Sequence, residues 1–183
     1  MEKLKIEKRE VVDFLPKKGR DINSLTAEGV KSISDFREGV GLAPKDKIHE
    51  FFPEIELITN TVRKIKCKHY HYPYSNCTIY ALGDEKGDLN FNIRSQSALF
   101  SKLFEEYDEI DYEEIQPGDI AVYYDKKRDI NAPEGDIEYL HIGKITNDLQ
   151  VESQWGNIGV YKHAVPLIQD KYGDSVTFMR KKK

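Results

Sequence analysis

Apolar and polar positions along this chain change their period near residue 115. Before it, several segments repeat at helical spacing. Val30, Ile33 and Phe36 follow Ser24-Leu-Thr-Ala-Glu28, which predicts a helix with Ser24 as N-cap and Glu28 near the capping-box position. Gly39, Gly41 and Pro44 are expected to end it. Residues 46–58 are ambiguous, because Pro53 interrupts any helix there. Residues 61–71 alternate and begin β-branched, so they read as a strand that Pro73 stops. Ser75-Asn76-Cys77 then opens a short apolar run to Leu82, with Gly83 just past its end, which predicts a helix with an N-cap and a C′ glycine. Ser95 is expected to cap a second helix with Leu99, Phe100, Leu103, Phe104 and Tyr107 as one stripe.

After residue 115 the pattern is that of strands. Gln116-Pro117-Gly118-Asp119 is a turn, and Ile120-Ala-Val-Tyr-Tyr124 is a continuous apolar run suited to a buried strand. A polar loop follows, then strands from Tyr139, from Gln150 to Trp155, from Gly159 and from Ser175, with Asn147-Asp148 as a hairpin turn. Helices followed by antiparallel strands predict an α+β fold, a sheet packed on helices. Residues 1–66 are expected to form a helical N-terminal extension packed on a main domain of residues 67–183.

Composition narrows the function classes. The chain has 183 residues, with 39% hydrophobic, 33% charged and a mean hydropathy of −0.64. No apolar run is long enough to cross a membrane, and the N-terminus lacks the apolar stretch of a secretory signal, so a cytoplasmic protein without membrane partners is expected. A net charge of −4 argues against binding nucleic acid through bulk electrostatics. The acidic run between Glu105 and Glu114 reads as a solvated helix end and loop. Two cysteines cannot build a disulfide scaffold.

Three constellations carry candidate chemistry. Cys77 opens a predicted helix, whose free N–H groups and dipole favour a thiolate and can hold an oxyanion. The other reading of Cys77 is a small buried hydrophobe. His141, on a strand, can take a thiol proton or sit satisfied in a core. Cys67, His69 and His71 share one side of a predicted strand and precede Cys77, but Pro73 and the irregular spacing count against zinc. No metal and no cofactor are expected. Trp155 and the tyrosines Tyr70, Tyr72, Tyr74 and Tyr80 read either as an aromatic pocket rim or as core. His163 reads either as a second pocket residue or as a core histidine.

The order of these pieces resembles the NlpC and CHAP branch of the papain-like cysteine hydrolases. The resemblance runs from about residue 70 to 160 and rests most on Pro117-Gly118-Asp119 before one strand and His141-Ile-Gly143 in the next. A poorly characterised bacterial family resembles more of the chain. Its motifs correspond to Asn76-Cys77-Thr-Ile-Tyr80-Ala81-Leu82-Gly83, His141, Ser153-Gln154-Trp155-Gly156, His163, Tyr172-Gly173 and Phe178-Met-Arg180. Gln154 departs from that family's lysine, and Asn76 from the aspartate usual in NlpC enzymes.

The resemblance implies a papain-like fold and a thiol hydrolase or acyltransferase acting on an amide bond of a peptide or small molecule. Cys77 would be the nucleophile and His141 the base, paired so that the thiolate is favoured. The third member depends on the hairpin. An even loop at Asn147-Asp148 sets Gln154 opposite His141, whereas an odd loop brings Ser153 to the His141 face. Asn76, Tyr74, Trp155 and His163 are the candidate substrate contacts. The alternative is a non-catalytic binding or immunity-type module that keeps the same fold.

Overall fold

The computed structural model describes residues 16–60, 77–82, 103–125 and 139–183. They form a mixed α/β structure built on a mostly antiparallel sheet with few helices. Eight strands belong to that sheet: β1 (Arg20–Asp21), β2 (Ile55–Thr59), β3 (Tyr107–Ile110), β4 (Ile120–Tyr124), β5 (Tyr139–Ile145), β6 (Val151–Trp155), β7 (Gly159–His163) and β8 (Ser175–Lys181). Their order is β1-β8-β4-β5-β6-β7-β2, and β3 pairs with β8.

The strand β4 lies inside the sheet, and all five of its residues are buried. Ala121 and Tyr123 join one apolar cluster, while Ile120, Val122 and Tyr124 join another, so both faces are covered. That is why Ile-Ala-Val-Tyr-Tyr reads as an unbroken apolar run. Each large side chain fully buried there contributes about 1.5–3 kcal/mol.

The segment expected to be an extension is woven into this sheet. Its strands β1 and β2 occupy the two ends of the strand order, and Ile22, Ile33, Val40, Ile48 and Ile55 belong to the same core cluster as Trp155 and Phe178. The helix predicted from Ser24 begins later. Ser24 lies in a 3₁₀ turn capped by Asp21, and its hydroxyl donates back to the Asp21 carbonyl at 2.7 Å. Helix α1 (Ile33–Leu42) instead starts at Ser32, whose Oγ accepts from the Asp35 N–H at 3.3 Å. Gly39 and Gly41 lie inside it: a Cβ on Gly39 would come 3.1 Å from Phe52, and one on Gly41 would come 3.1 Å from Asp170. The stop comes from Pro44, because Ala43 must be extended before a proline and has ψ 151°. Pro53 separates a short helix α2 (Ile48–Phe51) from β2.

Helix α3 (Cys77–Leu82) starts where the pattern predicted, and residues 103–106 are helical. Tyr107, expected to end that helix, begins β3. The acidic run is therefore a helix end, then strand and 3₁₀ turn, and several of its charges are used. Glu109 accepts from the N–H groups of Lys17 and Lys18, Asp111 meets Lys18 at 2.9 Å, and Glu113 meets Arg20 at 2.7 Å. The strand predicted for residues 61–71, together with Ser95 and Gly83, lies outside the described residues.

Candidate active site

The hairpin between β5 and β6 decides which residues share a face. Its loop is Asn147-Asp148-Leu149, closed by Thr146 N–H to Gln150 O at 2.9 Å, with Leu149 at φ 58°. An odd loop of this kind pairs Ile145 with Val151 and Lys144 with Glu152. His141, Gly143 and Ile145 therefore share a face with Val151, Ser153 and Trp155. Ile142 and Lys144 share the other face with Glu152 and Gln154.

On the first face lies a closely packed polar and aromatic cluster. His141 is 2% exposed, its ring 4.2 Å from that of Tyr172 and 6.0 Å from that of Tyr123, centroid to centroid. Its Nε2 is buried without a hydrogen-bond partner. Trp155 Nε1–H donates to Ser153 Oγ at 2.9 Å, and Ser153 Oγ lies 3.4 Å from His163 Nε2. His163 Nδ1 is 2.8 Å from the Ala164 carbonyl. A carbonyl only accepts, so Nδ1 carries the proton and Nε2 of a neutral His163 is the acceptor for Ser153. The serine, expected to orient His141, is engaged by Trp155 and His163 instead. Trp155 and His163 are both fully buried, with their rings 5.5 Å apart.

Gln154 lies on the opposite face, away from His141. Its Nε2 donates to the Gly156 carbonyl at 3.1 Å, and its Oε1 is buried without a partner. Helix α3 covers this second face. Ala81 packs in the cluster of Ile142 and Val122, and Tyr80 hydrogen-bonds Glu152. The body of α3 and the His141 imidazole are thus on opposite sides of the sheet. The β5–β6 ladder ends at Lys144 and Glu152, and the main chain of Ile142, next to His141, hydrogen-bonds the Cys77 thiol. The thiol is also an electrostatic neighbour of Tyr172.

The electrostatics differ from the expected thiolate–imidazolium pair. Burial raises the Cys77 thiol above its ordinary value and outweighs the hydrogen bonds from Ile142 and Thr78 that favour the thiolate. Burial also lowers His141 well below the usual histidine range, with His163 and Lys171 adding to the effect. His163 is pushed down to about 4, again by burial. At neutral pH the thiol is protonated and both imidazoles are uncharged.

Two further residues bear on this cluster. Tyr172 appears in sequence only as part of a motif, although its ring lies against His141. Arg37 belongs to no motif. It is 4% exposed and donates to the carbonyls of Ile168 at 3.1 Å, Asp170 at 3.4 Å and Gly173. An arginine among apolar helix positions was the available signal. Asn76, Tyr74, Cys67, His69 and His71 lie outside the described residues. Among the described residues no helix is long and apolar enough to cross a membrane. No family model matches this chain, and neither a curated protein nor a solved structure matches it.

Proposed function

We propose that this chain is a papain-like cysteine hydrolase or acyltransferase that acts on an amide bond of a peptide or small molecule. One observation carries the reading. His141, Ser153, Trp155, His163 and Tyr172, from three strands and a turn, pack together, beside the helix that opens with Cys77. Tyr172 stacks on His141 and lies 6.2 Å from Trp155, Trp155 donates to Ser153, and Ser153 faces His163, while the helix that Cys77 opens packs on the two strands that carry His141 and Ser153.

In this reading the Cys77 sulfur attacks the amide carbonyl carbon while His141 Nε2 takes the thiol proton. The proton passes to the departing amine, and water or another acceptor then releases the acyl group from sulfur. Both groups are neutral at rest, so the proton moves as the sulfur–carbon bond forms. Transfer requires Nε2 and sulfur within about 3 Å, directly or through one water. The substrate-bound form must therefore bring them together where the β5–β6 ladder ends.

A second reading, a non-catalytic binding module with the same fold, is favoured by two observations. His141 and the body of α3 lie on opposite faces, and burial holds both reactive groups uncharged. Acylation by p-nitrophenyl acetate separates the two without knowledge of the substrate. The enzyme should acquire one acetyl group on Cys77, detected by intact mass and peptide mapping. Cys77→Ser should abolish it, and His141→Ala should slow it by about 10²-fold or more, the usual contribution of a general base. No adduct, or the same rate with His141→Ala, replaces the enzyme with the binding module.

A further inference from the structure

Tyr172 closes a 3₁₀ turn, Asp170–Tyr172, between β7 and β8. Its ring lies 4.2 Å from the His141 ring with an interplanar angle of 31°, a tilted stack, and 6.2 Å from the Trp155 ring. The turn is held from outside the sheet. Buried Arg37, projecting from α1, donates to the carbonyls of Ile168, Asp170 and Gly173, which bracket Tyr172 on both sides. Gly173 sits at φ 98°, with Tyr124 O only 2.2 Å from where a Cβ would be. The main chain after Tyr172 therefore lies directly against β4.

We infer that Tyr172 is the positioning residue of His141, its ring setting where the imidazole sits, and that Arg37 in turn sets Tyr172. Its importance for activity rests on the cysteine-hydrolase reading. Three features support the assignment. The imidazole presents an unpartnered, buried Nε2, so no hydrogen bond at that atom holds the ring. The groups facing His141 are Tyr123 from β4, His163 from β7, and Lys171 and Tyr172 from the turn. Among these, Tyr172 has the closest ring. A change in the turn is thereby felt at the imidazole.

Carbethoxylation by diethyl pyrocarbonate, located by peptide mass spectrometry, tests this without substrate or thiol chemistry. His141 should react far more slowly than free imidazole in the unaltered chain. Tyr172→Phe keeps the ring and should keep that protection. Tyr172→Leu should make His141 react about tenfold faster, as expected for the loss of one ring–ring contact, while His163 stays protected. Arg37→Lys should give an intermediate gain at His141. Equal gains at His141 and His163 would mean general loosening and would overturn the assignment, as would an unchanged His141 rate in Tyr172→Leu. Should Tyr172→Leu not fold, Arg37→Lys and the unaltered chain still decide: a His141 as reactive as free imidazole, or unaffected by Arg37→Lys, refutes it. None of these outcomes touches the acetylation of Cys77, so the two proposals fail separately.

Discussion

Arg180 grips Asp119 with two parallel hydrogen bonds, Nε to Oδ1 at 2.9 Å and Nη2 to Oδ2 at 2.8 Å. Asp119 precedes β4, and Arg180 lies near the end of β8, its antiparallel neighbour. The same carboxylate accepts from the Gln116 N–H at 2.7 Å, which closes the Pro-Gly turn, and Arg180 also donates to the Glu114 carbonyl. The Gln-Pro-Gly-Asp turn and the terminal Phe-Met-Arg, far apart in sequence, act as one structural device.

That device should behave non-additively. Arg180→Ala leaves a buried carboxylate without its cation, which is worse than removing both charges. Urea unfolding should therefore show a loss of stability for Arg180→Ala that is partly recovered by adding Asp119→Asn. Strictly additive losses would mean the pair is uncoupled.

Ser153 should prove to be a structural residue. Its hydroxyl accepts from Trp155 and faces His163, all three fully buried. Ser153→Ala strands the indole N–H and the imidazole Nε2, at a cost of about 1–3 kcal/mol for each buried group left unsatisfied. Equilibrium unfolding followed by tryptophan fluorescence measures this, since Trp155 is the chain's one tryptophan. A change near zero would show that the serine is not needed to satisfy these groups.

Stability should fall in mild acid. His163 has a folded value of about 4, against an ordinary value of about 6.5 in the unfolded chain. Between those values the unfolded state binds more protons, so stability rises with pH. The contribution is complete above about pH 6.5 and is lost as pH drops toward about 4, and for His163 alone it is on the order of 3 kcal/mol. His141, also lowered, acts in the same direction. Unfolding free energy measured across this window should be flatter in His163→Gln. An unchanged slope would show that His163 is not buried uncharged.

Gly173→Ala should be severe. The glycine has φ 98° and ψ 170°, a region that costs other residues about 1–3 kcal/mol. The new Cβ would also meet Tyr124 O at 2.2 Å. A melting temperature within a degree of the unaltered chain would refute this. In contrast, Gly118→Ala, at φ 92° but in open space, should suffer only the backbone strain.

The strands were far more legible than the helices. Ile120–Tyr124 is wholly apolar because side chains pack on both faces of the sheet there, and such a run is visible in sequence. Spacing predicts that α1 starts at Ser24, whereas it starts at Ser32; both serines have the right chemistry. What separates them is that Asp21 caps its own turn and takes up the Ser24 hydroxyl, a competition among neighbours that spacing does not display. At the site, Cys77, His141, Ser153 and His163 were all named from sequence. Their partnerships were not, because those depend on contacts across strands.

Local events are written in the order of residues alone: the antiparallel hairpins, the helix that begins at Cys77, the burial of β4 and the two candidate reactive groups. Each follows from periodicity, turn chemistry or residue type within a few positions. The remainder arises only when the chain packs. The odd loop at Leu149 put Ser153 on the face of His141 and Gln154 on the other. The packing of α3 over that other face separated its body from the imidazole. Burial then set the charge states, raising the thiol and lowering both histidines. The physical reason is that desolvation and side-chain partnership depend on everything within a few ångströms in space, and most of those atoms come from distant parts of the chain.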